Sequence, residues 1–214
     1  METDQLVNEL VKKSSPVKPM RPPWVRALLW LFVLLCIVTA GISLYGARAD
    51  LGEAMLHPLF ITEASALLIS GLCATFATFQ LSVPRETISK RTLLLLLAAV
   101  LLLLASQFNC MRLTDLETVK EALRSGHRLK VFISGLAFIS LPAILLYFII
   151  RRGAPTRLPW IGGSAALALT SFSSLSCKFI CPIDDPGYLL VWHYFPIFML
   201  TVIGLTLGRR LFKW

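Results

Sequence analysis

Six long, continuously apolar stretches alternate with short polar segments along this chain of 214 residues. A helix needs about 20 residues to cross the ~30 Å hydrocarbon layer of a membrane, and these stretches are close to that length. They lack the alternation of apolar and polar positions that a membrane barrel strand requires. The pattern therefore predicts an all-α, polytopic membrane protein with six transmembrane helices, at residues 24–45, 58–83, 92–108, 131–150, 159–176 and 189–207.

The composition favours the same class. Hydrophobic residues make up 56% of the chain and charged residues 15%, and the mean hydropathy of +0.73 exceeds that of a typical soluble domain. The first apolar stretch follows a polar, proline-rich segment and is long enough to remain in the membrane, unlike a cleaved signal peptide. We expect a cytoplasmic partner-binding segment at residues 1–23 and a transmembrane domain at residues 24–214.

The basic residues predict the orientation. Lys and Arg total 21 against 12 Asp and Glu, which gives a net charge of +9. With the N-terminus inside, 14 of the 21 fall in inner segments and 7 in outer ones. Cytoplasmic loops carry an excess of Lys and Arg, so both termini are predicted to be cytoplasmic. This bias, together with anionic lipid head groups, explains the charge without direct binding to nucleic acid.

Three of the five cysteines are predicted at the outer face: Cys110, Cys177 and Cys181. The last two lie in the stretch CKFICPIDDPGYLLVWH, where Cys177 is expected to cap the fifth helix and Cys181, before a proline, to begin an extended loop. An outer face that is oxidising would allow disulfides. The spacing leaves open which thiols pair, or whether they only pack.

The same stretch carries further candidate sensing residues: Asp184, Asp185, Trp192 and His193. Zinc sites usually contain CxxC or HxxxH pairs, which this region lacks, so neither a metal site nor a cofactor is predicted. Trp192, Tyr188 and Tyr194 are instead expected to anchor the last helix at the membrane interface. His193 is expected to be an interface residue as well.

A short outer helix is predicted between the third and fourth spans. Thr114 and Glu117 match a capping box, in which the two side chains satisfy free amides at a helix start. Leu116, Val119 and Leu123 then recur at helical spacing. Glu63 is the one candidate for an ionisable group deep in the bundle, and we expect it at the outer boundary, so little supports transport chemistry.

The first residues of the chain form a candidate partner-binding helix. Leu6, Val7, Leu10 and Val11 fall on one helical face, with polar residues opposite. Such a helix is marginal alone in water and would gain order in a partner's groove. Asp4 and Glu9 oppose the alternative, a peptide lying on an anionic bilayer. The following SSPVKPMRPPW is expected to be a stiff spacer.

Several motifs together resemble the NrsF family of bacterial anti-sigma factors. They are TDQLVNELVKKSSPVKPMRPPWVRALLW, RRGAPTRLPWIGG, CPIDDPGYLLVWH and the terminal GRRLFKW. The resemblance implies six transmembrane helices and an extracytoplasmic-function (ECF) sigma factor as the partner, held at the inner membrane and released on envelope, metal or oxidative stress. It also implicates periplasmic cysteines in sensing.

The resemblance assigns roles to particular residues. The N-terminal family pattern falls on Asp4, Leu6, Leu10, Pro16 and Val17, and the cysteine before the last helix falls on Cys181. Family members often carry a second cysteine before the fourth helix, where this chain has GHRLKV, so Cys110 or Cys177 would have to serve instead.

The function predicted from the sequence is therefore regulatory and not enzymatic. A membrane-embedded anti-sigma factor would sequester its sigma factor through the N-terminal segment, while the outer thiols bias release. Two alternatives stay open. One is a membrane thiol oxidoreductase that uses Cys177 and Cys181, although its cysteine pairs would be incomplete. The other is a small transporter, which the scarcity of buried charge disfavours.

Overall fold

The computed structural model describes residue 11 and residues 20–84, 88–112, 114–124 and 126–213, with side chains except at 121, 124, 126–134 and 136–138. The fold is all-α, and no strand occurs within these ranges. The helices are α1 Pro23–Tyr45, α2 Leu51–Ala54, α3 Pro58–Leu81, α4 Lys90–Arg112, α5 Leu116–Arg124, α6 Gly126–Arg151, α7 Leu158–Ile180, α8 Pro186–Leu189, a π-helical segment Leu190–Tyr194 and α9 Phe195–Leu211.

Helices occupy all six apolar stretches, but they differ in their capacity to cross a membrane. Over the described residues, four are long and apolar enough to do so: α1, α3, α4 and the continuous run Pro186–Leu211. The described apolar part of α6, Ile139–Arg151, is shorter than a span. Helix α7 contains many serines and glycines, which lower its hydropathy and which it buries against its neighbours.

Helix α7 lies at the centre of the bundle because small residues let other helices approach closely. Where it crosses α9, a Cβ on Gly162 would overlap the carbonyl oxygen of Gly204, and a Cβ on Gly204 would overlap the carbonyl oxygen of Gly162. Towards α3, Thr78 donates to Ser164 at 2.8 Å, and the hydroxyls of Ser70 and Ser171 lie 3.3 Å apart. Small and hydroxyl residues provide such contacts between membrane helices.

The two ends of the bundle have different side chains. We call the end that carries Cys110, Cys177 and Cys181 the thiol end. The opposite end carries the starts of α1, α4 and α7 and the last turns of α3, α6 and α9, and we call it the basic end. It holds a cluster of cationic residues, namely Arg21, Arg26, Lys90, Arg91, Arg151, Arg152, Arg157, Arg209, Arg210 and Lys213. Each end has its own cluster of buried apolar residues.

The short helix predicted between the third and fourth apolar stretches exists as α5, but its predicted cap is wrong. The helix begins at Leu116, two residues after Thr114. The Thr114 hydroxyl donates to the Cys110 carbonyl at 2.7 Å, and Glu117 pairs with Lys120 at 2.7 Å. The Thr114 hydroxyl is therefore bonded to the last turn of α4 and does not cap α5.

Candidate functional site at the thiol end

A buried ion pair joins α3 to α7 at the thiol end. The Lys178 ammonium donates to the Glu63 carboxylate, and the two side chains are 3% and 11% exposed. The Lys178 Nζ also lies 5.1 Å from the centre of the Phe60 ring. A buried charge is tolerated only when a partner compensates it, so each member of the pair requires the other.

A second charged cluster fixes the segment that follows α1. The Arg48 guanidinium donates to Asp50 at 2.8 and 2.7 Å and to Asp184 at 3.2 and 2.6 Å. These hydrogen bonds raise the pKa of Arg48, and the bond to Asp50 has the largest effect. The same bond lowers the pKa of Asp50. Arg48 also lies over the Phe60 ring, at 5.7 Å. Phe60 therefore contacts both charged groups.

A cavity of about 240 Å³ with both apolar and ionisable side chains in its wall lies beside these charges. Glu63, Lys178, Asp184, Cys110 and His57 contribute to its wall. The cavity places open space next to the buried ion pair and the Cys110 thiol. Over the described residues, no group of three or more His, Cys, Asp or Glu side chains is arranged to hold a metal ion.

The three predicted sensing cysteines do lie at one end of the fold, and all five cysteines are free thiols. The Cys110 thiol donates to the Pro186 carbonyl at 3.1 Å. Cys181 is in extended conformation directly after α7, as predicted, and its sulfur lies 3.8 Å from the Tyr188 hydroxyl. Cys177 lies within the last turn of α7, which continues to Ile180, so the expectation that it caps this helix is wrong.

The residues after Cys181 fold back onto the bundle. Asp184 binds Arg48, as described above, and Asp185 caps α8 by accepting from the Tyr188 amide at 2.8 Å. The Trp192 indole donates to the Ala122 carbonyl of α5 at 3.0 Å. These contacts tie the loop to the segment after α1 and to the short outer helix.

The interfacial assignments of Tyr188, Tyr194 and His193 are wrong. Tyr188 and Tyr194 are each 1% exposed and His193 is 6% exposed, so all three lie inside the bundle. The Tyr194 hydroxyl lies 2.8 Å from that of Ser106 in α4. The π-helical segment turns the His193 ring towards a small cavity of about 40 Å³, which Cys177 and Trp192 also line. Such segments often occur at functional sites.

The predicted partner-binding residues Asp4, Leu6, Val7, Leu10, Pro16 and Val17 lie outside the described residues. Val11 is described: it is helical and 64% exposed. The structure therefore describes the candidate sensing residues and not the binding helix as a whole.

Sequence reasoning missed the charged clusters of the thiol end. Glu63 was expected at the outer boundary without a partner. Its partner Lys178 is 115 positions away in the sequence, and Asp184 is 136 positions from Arg48, so neither pair could be found from local pattern. One local signal was present. Lys178 lies in SCKFI, next to residues that continue the apolar face of α7, and a lysine within a helical stretch calls for a buried partner.

Comparison with known proteins shows similarity along nearly the whole chain. The family NrsF, described as "Negative regulator of sigma F", matches residues 10–214. A curated relative, the anti-sigma-F factor NrsF of Caulobacter vibrioides (strain NA1000 / CB15N), is 26% identical over 223 residues, with 100% of both chains covered. No solved structure matches the chain.

Proposed function

Because the chain belongs to the NrsF family of negative regulators of sigma F, we propose that it is an inner-membrane anti-sigma factor for an ECF-type sigma factor. The observation that carries this proposal is the family match over residues 10–214, which includes the whole bundle. The family is regulatory and its role is to restrain a sigma factor.

The proposed topology has six spans and both termini in the cytoplasm. The distribution of charge supports it: every Asp and Glu side chain that the structure describes lies at the thiol end, whereas cationic side chains gather at the basic end. The excess of Lys and Arg identifies the cytoplasmic side of a membrane protein. The basic end would then face the cytoplasm and the thiol end the periplasm.

The N-terminal segment would hold the sigma factor. It leads into α1 at Pro23, and the first turn of α1 is fixed at the basic end by the Arg26 guanidinium, which donates to Ser82 at 2.9 Å. A helix whose stripe is Leu6, Val7, Leu10 and Val11 would occupy an apolar groove of the sigma factor. Asp4, Pro16 and Val17 would contribute to the same contact.

Release would begin at the thiol end. A signal shifts an equilibrium only by its differential free energy for the two states, and complete reversal requires about 5.5 kcal/mol. Oxidation or metal binding at Cys181, with Cys110 or Cys177, would disturb a cluster that also contains Tyr188 and the Glu63–Lys178 pair. Helix α7 runs from this cluster to the basic end over about 33 Å, so a shift of α7 can reach the root of the N-terminal segment.

The first test is capture of the sigma factor by the full-length protein in detergent. We expect Leu10→Asp to reduce capture at least tenfold, because a carboxylate would have to be desolvated in an apolar groove. Asn8→Asp is the matched control, since it adds the same charge on the opposite helical face. Both variants should insert into the membrane normally.

Two outcomes would contradict this assignment. Equal capture by Leu10→Asp and by the unchanged protein would remove the apolar stripe from the contact. Failure of the full-length protein to capture any ECF-type sigma factor encoded in the same genome would overturn the proposed partner.

The second test concerns release under oxidant or metal stress in cells. We expect Cys181→Ser to change the stress-induced transcription of the sigma factor's targets while leaving capture at rest unchanged. Cys36→Ser is the control, because Cys36 is exposed near the middle of α1 and does not belong to the cysteines of the thiol end. A stress response identical to that of the unchanged protein would exclude Cys181 from sensing.

A further inference from the structure

An apolar groove runs along the outside of the bundle near the basic end. Its walls are α6 and α9 and its floor is α7, with a volume of about 300 Å³. Small residues of the floor, among them Gly162, Ala165 and Ala166, leave the space between the walls open. Ile203, Leu207 and Leu211 of the α9 wall are 38%, 40% and 48% exposed, so the groove opens to the side of the bundle.

The groove has the length of a single membrane leaflet. It extends from Ile139 to Ile150 on α6 and from Leu200 to Leu211 on α9. At 1.5 Å per residue each wall is about 17 Å long, close to half of the ~30 Å hydrocarbon layer. At the basic end of the groove, the ring centres of Tyr147 and Phe212 lie 5.7 Å apart.

Four arginines lie at the helix ends on that side of the groove. The Arg151 guanidinium donates to the Tyr147 hydroxyl at 2.9 Å and lies 5.9 Å from the centre of that ring. Arg152 directly follows the last residue of α6, Arg157 precedes the floor helix, and Arg210 lies in the last turn of the other wall. Among the described residues no carboxylate forms an ion pair with any of these four.

We propose that this groove is a binding site for an anionic phospholipid of the leaflet at the basic end. One acyl chain lies between α6 and α9, and the phosphate lies at Arg151 and its neighbouring arginines. The chemistry requires both parts: the apolar walls hold the hydrocarbon, and the guanidinium groups donate bidentate hydrogen bonds to the anionic head group. This inference depends on the membrane location of α6 and α7, but not on which protein the N-terminal segment binds.

Native mass spectrometry of the full-length protein in detergent tests the site. Phosphatidylglycerol is titrated against phosphatidylcholine of the same chain composition, and bound lipid is counted per protein. We expect phosphatidylglycerol to bind more tightly. Arg151→Gln should weaken it about fivefold, the effect of one basic residue at an anionic lipid surface. Ala143→Phe, which fills the groove from α6, should weaken both lipids.

Each variant has a matched control. Arg112→Gln removes an arginine that lies over an aromatic ring, Phe108, at the thiol end, and it should leave phosphatidylglycerol binding unchanged. Ile144→Phe enlarges a 52% exposed neighbour of Ala143 that does not line the groove. Thermal unfolding of all variants checks that they are folded.

Equal affinity for the two lipids would overturn the proposal, as would an equal loss with Arg151→Gln and Arg112→Gln. A dimer that disappears with Ala143→Phe while lipid binding persists would assign the groove to a second copy of the chain, and would also overturn it. Loss of sigma-factor capture with normal lipid binding would contradict the proposed function and leave the lipid site standing.

Discussion

The two ends of the bundle are built on different physical principles. At the thiol end, charged and polar groups are buried and depend on specific partners, as in the pair Glu63–Lys178. At the basic end, helices are held by shape, with the backbone of Gly162 against that of Gly204, while most of the cationic groups remain at the surface. A buried polar cluster responds to a change in charge or bonding, whereas close backbone packing does not. The contrast fits a protein that receives a chemical signal at one end.

The largest effect on stability is expected when one partner of the buried pair Glu63–Lys178 is removed. Lys178→Met would leave the Glu63 carboxylate buried without compensation, and we expect it to lower the free energy of unfolding by about 3 kcal/mol or more. Replacing both partners, by Glu63→Gln and Lys178→Met, should recover most of the loss. SDS-induced unfolding in mixed micelles measures both variants.

The control for this experiment is an exposed ion pair. Lys120 and Glu117 are 47% and 78% exposed in α5, so Lys120→Met should cost less than about 1 kcal/mol. If Lys178→Met were as mild as Lys120→Met, the thiol end would not depend on buried charge.

The basic end is tested by adding a single methyl group where α7 crosses α9. A Cβ at position 204 would overlap the Gly162 carbonyl oxygen, so Gly204→Ala should destabilise the protein by about 1 to 3 kcal/mol. Gly52→Ala is the control, because nothing lies within 4 Å of a Cβ there. Equal unfolding curves for the two variants would show that the crossing is not tightly packed.

The smallest effect is expected at Arg48. Arg48→Gln removes the ion pairs to Asp50 and Asp184, but these carboxylates are each 46% exposed, so solvent screens the pairs. We expect a loss of stability smaller than that of Gly204→Ala, together with faster proteolysis of the segment around residue 50.

The same cluster predicts a dependence on pH. Because Arg48 lowers the pKa of Asp50, the stabilisation is present above the pKa of the unfolded carboxyl, near pH 4, and is lost as the pH falls through the lower pKa of the folded state. Arg48→Gln should therefore flatten the acid limb of the stability profile. An unchanged acid limb would show that Asp50 does not contribute.

Much of the helical framework could be predicted from apolar length, yet the last span shows where such reasoning ends. The sequence indicated a single helix at residues 189–207, and the structure divides the run Pro186–Leu211 into α8, a π-helical segment and α9. The π-helical segment buries His193 and Tyr194, which the sequence placed at the interface. A change in helix type follows from the neighbours that each side chain meets, and hydropathy does not record those neighbours.

The sequence by itself determined that the chain is helical, where its apolar helices lie, and that three of its five cysteines lie at one end of the helices. The length of each apolar stretch predicts these features because a helix satisfies its backbone hydrogen bonds within its own segment. Only the tertiary structure decided that Lys178 meets Glu63, that Arg48 binds Asp184, and that a lipid-sized groove lies over Gly162. These contacts join positions far apart in the chain, and they depend on how closely small side chains allow the helices to approach.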